Sequence, residues 1–103
     1  MPTETHLAIL KHIQVNPEAS QRALAQELGV SVGKVNYCLR ALMDKGFVKA
    51  GNFTRNTDKL SYLYLLTPKG LEEKASLTTS FLKRKIAKHE KIAQEIAQLK
   101  RDS

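Results

Sequence analysis

From Thr67-Pro68 to the last residue the chain carries no further proline, and a threonine followed by proline at the first helical position is a strong helix opening. One unbroken helix is therefore expected from Pro68 to about Arg101. At a rise of ~1.5 Å per residue it reaches on the order of 50 Å, longer than a domain of this size is wide. Its far end cannot pack on its own body. Residues 1–67 are thus expected to form a small globular domain, and residues 68–103 a projecting helix that needs a second surface.

Within the first 67 residues, helix signals alternate with breaks. Thr3 is placed to cap a first helix over about residues 4–15 with Leu7, Leu10 and Ile13 on one face, and Asn16-Pro17 ends it because the residue before proline avoids helical angles. Ser20 caps a two-turn helix with Leu24 and Leu28, which Gly29 interrupts. Ser31 caps a third helix, roughly 32–45, with Gly46 where a left-handed C-terminal cap belongs. From Phe47 the pattern changes to a short extended piece ending at Ala50, a polar loop from Gly51 to Lys59, and a β-prone run from Leu60 to Leu66. The expected fold is mainly α with a small β-hairpin.

Gln21 to Arg40 reads as helix, tight turn and helix. Leu24, Leu28, Val30, Val35 and Cys38 are the apolar positions two crossed helices need, and Ala25 sits at their closest approach. Projected at 100° per residue, the third helix gathers Val32, Val35, Leu39, Leu42 and Met43 in one arc. Gly33, Asn36, Tyr37 and Arg40 fall opposite, with Lys34 flanking. That outer face has the chemistry of a groove reader: arginine pairs with guanine, asparagine with adenine, glycine admits close backbone approach, and tyrosine reaches a phosphate or a thymine methyl. Ser20, Gln21, Arg22 and Ser31 lie at helix N-termini, where phosphates meet backbone amides. The hairpin adds Asn52, Arg55, Asn56 and Lys59 as a polar wing beside that helix. Double-stranded DNA is the expected partner, and the whole is a winged helix-turn-helix with a long C-terminal helix. A competing reading keeps the same fold as a protein-interaction adaptor with only nonspecific DNA binding.

In the last helix a seven-residue frame aligns Leu71, Ala75, Thr78, Leu82, Lys85, His89, Ile92, Ile96 and Leu99, with Ile86 beside them. Leu82, Ile86, His89, Ile92, Ile96 and Leu99 are the candidate contacts with a second copy, giving a homodimer. Lys85 and His89 argue against one continuous coiled coil.

Composition narrows the alternatives. Hydrophobic residues make up 42% of 103, enough for one modest core, and 17 Lys and Arg against 10 Asp and Glu give a net charge of +7, which favours an anionic partner. No apolar run approaches the roughly 20 residues of a membrane span, and Met1 to His12 lacks the pattern of a secretion signal, so a cytoplasmic protein is expected. The lone Cys38 permits no internal disulfide and reads as a buried thiol, while His6, His12 and His89 lack ligand spacing, so no metal or cofactor is expected. The acidic residues before the last helix form no pair suited to acid-base work, and no enzyme activity is expected.

The stretch Ser20-Gln-Arg-Ala-Leu-Ala-Gln-Glu-Leu-Gly-Val-Ser-Val-Gly-Lys-Val-Asn-Tyr-Cys-Leu-Arg-Ala-Leu, with Asp44-Lys-Gly-Phe-Val-Lys and Tyr62-Leu-Tyr-Leu-Leu-Thr-Pro-Lys-Gly-Leu-Glu-Glu-Lys, resembles the MarR-type winged-helix regulators. Within them it is most similar to a small exopolysaccharide-associated subgroup. The resemblance covers about residues 5–100 and implies a dimer on DNA, the third helix in the major groove and the wing beside it. It makes Ser31, Gly33, Lys34, Asn36, Tyr37 and Arg40 recognition positions and Arg55 the wing arginine. MarR-type proteins usually carry more helix at both ends, building a dimerisation platform and a pocket for phenolic effectors. Little chain serves either purpose here, which leaves a small-molecule effector an open question.

Overall fold

In a computed structural model that describes residues 4–56 and 59–103, with the backbone alone for 53–56 and 59–61, the elements follow in the order α1 (Glu4–Val15), α2 (Gln21–Leu28), α3 (Val32–Asp44), β1 (Val48–Asn56), β2 (Lys59–Leu66) and α4 (Pro68–Asp102). Thr3, the expected cap of α1, lies outside the described residues. The other stops stand where the sequence puts them: Gly29 and Gly46 adopt left-handed φ of 68° and 78° at the ends of α2 and α3. The Gly29 N–H closes α2 by donating to Ala25 O.

The core is a three-helix cluster roofed by the root of the hairpin. Ile9, Leu10, Ile13, Leu24, Val35, Leu39 and Leu42 are sealed from solvent, with Leu7, Ala25, Cys38, Val48, Tyr64 and Leu77 completing the cluster. Cys38 is a buried thiol whose pKa is raised by that burial. One expected core position is corrected: Val32 is 45% exposed. It is the first residue of α3, and helical side chains lean toward the N-terminus, so Val32 points back off the end of the contact.

The hairpin is longer than the sequence reading allowed. β1 and β2 pair antiparallel from Val48↔Leu66 out to Asn56↔Lys59, with an irregularity between Thr54 and Asn56, so the expected loop from Gly51 to Lys59 is mostly ladder. A two-stranded ribbon leaving the body is held by backbone pairing and needs no apolar face along its length. Hydrophobic alternation therefore misses it.

α4 begins at Thr67, whose Oγ1 accepts from the Gly70 N–H at 3.0 Å and donates to Gly46 O at 2.5 Å. Its body-facing line is Gly70, Leu77 and Phe81, one step round from the expected seam; Leu71 is 46% exposed. Beyond Phe81 every residue of α4 is exposed. The Cα radius of gyration, 18.2 Å, stands against about 13 Å for a compact chain of this length, and the long axis of 68 Å is the projecting helix added to the width of the body. An ion pair from Lys85 Nζ to Glu4 at 3.3 Å steadies the point of departure, but both groups are over 60% exposed and contribute little stability.

His6 is buried against this base, and desolvation, with the Lys45 charge adding to it, holds its imidazole below the ordinary value while Glu73 opposes. With the folded pKa below the unfolded one, the unfolded chain takes up the proton first. Stability from this site is complete above the usual histidine pKa of 6.5 and is lost as the pH falls from there toward the folded value. The thermal midpoint is expected to drop as the pH falls below the usual histidine range, and His6→Gln should flatten that drop. An unchanged slope in the variant would assign it to other groups.

Candidate nucleic-acid interface

Two serine caps and one glycine set the angle between α2 and α3. Ser20 Oγ accepts from the Ala23 N–H at 3.0 Å and Ser31 Oγ from the Lys34 N–H at 3.0 Å, which fixes both helix starts. Among the described residues neither hydroxyl donates its O–H, so both can serve an outside acceptor. Between the helices Val30 N donates to Ala25 O at 3.1 Å, and Val30 packs partly into the core. The buried Ala25 lets the helices cross closely.

This crossing turns one face of α3 outward. Ser31, Gly33, Lys34, Asn36, Tyr37 and Arg40 are all exposed, Tyr37 to 75%. Among the described residues neither Lys34 nor Arg40 is engaged in an ion pair. Gly33 is not required by internal packing, since a Cβ there would meet nothing nearer than Ser31 Oγ at 3.9 Å. A glycine inside a helix costs up to about 1 kcal/mol relative to alanine, so this one costs stability and leaves room outside the molecule.

The other expected contacts divide. Arg22 is exposed at the start of α2. Gln21 is half-buried: its Nε2 donates to Tyr64 Oη at 3.2 Å and its Oε1 accepts from Asn36 Nδ2 at 3.3 Å. Asn52 is exposed on β1 opposite Tyr62. Arg55, Asn56 and Lys59 belong by backbone to the outer hairpin, and their side chains lie outside the described residues. Leu82, Ile86, His89, Ile92, Ile96 and Leu99 are exposed on α4, away from this face.

Tyr64 is the residue the sequence reading missed. Its ring is 5% exposed, its N–H donates to Pro17 O at 3.0 Å, and it meets the Tyr62 ring edge-on at 5.3 Å between centroids. The available signal was the pair Tyr62 and Tyr64 on one face of a strand, because a buried tyrosine needs a partner for its hydroxyl.

Helix, turn, outward-facing helix and adjoining hairpin now stand together, and residues 2–49 match the winged helix-turn-helix DNA-binding family. The fold is a winged helix-turn-helix. The hairpin is its wing. Among solved structures it is similar to a variant of Lactococcus lactis ZitR, with a TM-score of 0.66 and 18% identity, covering 92% of this chain and 62% of that one. The PcaV transcriptional regulator from Streptomyces coelicolor superposes with a TM-score of 0.64 at 18% identity over 79% of this chain and 58% of its own. A ZitR variant in complex with DNA matches with a TM-score of 0.61 at 20% identity, over 81% of this chain and 55% of its own. ZitR is described as a zinc-responsive MarR family member. This chain spans 62% of the first of these, under two thirds of its length. Among curated protein sequences none matches. Among the described residues no three His, Cys, Asp or Glu side chains gather as metal ligands would, and no helix is long and apolar enough to cross a membrane.

Proposed function

We propose that the protein is a sequence-specific double-stranded DNA-binding transcriptional regulator, acting in the cytoplasm as a homodimer. The outward face of α3 carries the proposal: Gly33, Lys34, Asn36, Tyr37 and Arg40 are presented to solvent on a helix whose inner face is fully engaged. In this reading α3 enters the major groove, with Arg40 and Asn36 on base edges. Ser20, Gln21, Arg22, Ser31 and Lys34 serve the phosphates at the rim, and Asn52, Arg55, Asn56 and Lys59 of the wing reach the neighbouring backbone or minor groove. The ZitR structure in complex with DNA supports this use of the fold. The net charge of +7 supports it independently. Residues 1–67 are the DNA-binding unit and 68–103 the dimerisation helix. Control of exopolysaccharide biosynthesis genes enters the proposal on the subgroup resemblance of the sequence alone.

The test is selection from random duplex DNA at physiological salt, followed by binding of Arg40→Ala and Arg55→Ala to the enriched site. Arg40→Ala is expected to lose about 1–3 kcal/mol of discrimination at one base pair. Arg55→Ala should weaken all sequences alike and lower the log-log salt slope by about one. Unchanged binding in both variants would remove the recognition assignment. No enrichment, with a salt slope near zero, would leave an adaptor that uses the same fold on a protein partner.

A further inference from the structure

Three side chains from three elements form one polar chain across the base of the interface. Tyr64 on β2 is anchored: it is buried, its N–H is bound to Pro17 O at 3.0 Å, and Tyr62 lies edge-on against it. Its Oη accepts from Gln21 Nε2 at 3.2 Å, and Gln21 Oε1 accepts from Asn36 Nδ2 at 3.3 Å. The chain thus runs from a fixed ring through a half-buried carboxamide to an exposed one in the middle of the outward face of α3.

A free asparagine on a helix surface samples several rotamers and both amide orientations, each presenting a different edge. Here Gln21 occupies one N–H of Asn36 and leaves it the second N–H and the carbonyl oxygen. A donor beside an acceptor is the pattern that complements adenine N7 and N6 in the major groove. Reversing the Asn36 amide would direct two donors outward and spoil that match. Hydrogen bonds between exposed side chains contribute little to folding. The worth of this chain lies in the orientation it imposes before any ligand arrives.

We propose that Gln21 and Tyr64 are positioning residues for base selection, holding Asn36 in the orientation that reads an adenine. The inference rests on the regulator reading above and assigns Gln21 a task different from its phosphate contact. It also ties the root of the wing to the reading helix, because Tyr64 pairs with Ala50 in the hairpin ladder.

The enriched duplex from the random selection is the probe, with all four base pairs placed in turn at the position that Asn36→Ala flattens. Wild type is expected to prefer adenine there, and Asn36→Ala to bring that preference near unity. Tyr64→Phe and Gln21→Met should each cut it at least threefold while binding to the other positions keeps its pattern. In the Asn36→Ala background Tyr64→Phe should have no further effect on preference. Gln21→Glu, which keeps an acceptor for Asn36 and can accept from the tyrosine hydroxyl, should restore the preference at lower overall affinity. A merely structural role would weaken all four duplexes by the same factor and lower the thermal midpoint, and that result overturns the proposal. So does an adenine preference that survives both Tyr64→Phe and Gln21→Met, or an Asn36→Ala that flattens no position. If wild type enriches no sequence, the regulator reading fails and takes this inference with it.

Discussion

Replacing Ile92 and Ile96 of α4 together by glutamate is expected to convert the proposed dimer to a monomer and to weaken binding to a two-half-site operator about 100-fold or more. The fold should survive, because the two side chains are 50% and 48% exposed and nothing in the winged domain rests on them. They sit in a stripe with Leu82, Ile86 and Leu99, which are between 49% and 68% exposed. Five large apolar side chains along one projecting helix form a surface that a lone chain would leave in water. The stripe is continuous with the body through Leu82, which also lines a cleft with Leu7, Ala8 and Phe81 between α1 and α4. His89 is exposed between the two ends of the stripe, and Lys85 is drawn back toward Glu4 by its ion pair, which together interrupt a plain heptad pairing. A second α4 crossing the first, or reaching the partner's cleft, fits this better than a coiled coil along the full length. Two domains joined in this way bind a second half-site as an intramolecular event, so losing the joint loses affinity without touching a DNA contact. Sedimentation equilibrium and titration of one-half-site and two-half-site duplexes check the expectation. A variant that keeps the dimer mass, or a wild type that is monomeric at tens of micromolar, would remove α4 as the joint.

The parts legible in the sequence are those written in local chemistry. Ser20, Ser31 and Thr67 announce three helix starts, and Gly29 and Gly46 two stops, because caps act within four residues of where they stand. The outward face of α3 was legible for the same reason: periodicity alone separates Asn36, Tyr37 and Arg40 from Val35, Leu39 and Leu42. What the sequence hid depends on distant segments meeting. Ile9 and His6 are buried on α1 beyond the stripe of Leu7, Leu10 and Ile13, since neighbours enclose that helix on more than one side. Tyr64 and Gln21 are 43 residues apart and Gln21 and Asn36 are 15 apart, so no local pattern links the three. The outer hairpin carries no apolar alternation, and a ladder held by backbone pairing needs none, so its residues look like loop in the sequence.

Gly70→Ala is expected to destabilise the protein by about 2–3 kcal/mol, although helix propensity alone predicts the opposite sign. Gly70 lies in the first turn of α4, where alanine would ordinarily gain about 1 kcal/mol. A Cβ at this position would stand 2.0 Å from Phe47 O and 2.9 Å from its carbonyl carbon, both backbone atoms that no rotamer change can move. Phe47 O is also the acceptor for the Thr67 N–H at 3.1 Å, and Phe47 N is bound to Leu42 O at 2.9 Å, so the turn cannot retreat without breaking the ties that seat α4 on α3. α4 must shift instead. A tilt of a few degrees at its root carries the far end several ångströms over a helix on the order of 50 Å long. The same substitution should therefore lower the thermal midpoint by roughly 10 °C and disturb dimer formation from a position far from the apolar stripe. Gly33→Ala supplies the contrast, because a Cβ there meets only Ser31 Oγ at 3.9 Å. It should stabilise the fold by about 0.5–1 kcal/mol while weakening DNA binding. Opposite signs at two helical glycines in urea denaturation would separate a glycine held by internal space from one kept open for an outside partner. Equal stabilisation at both would mean that the contact between α4 and Phe47 is looser than its geometry implies.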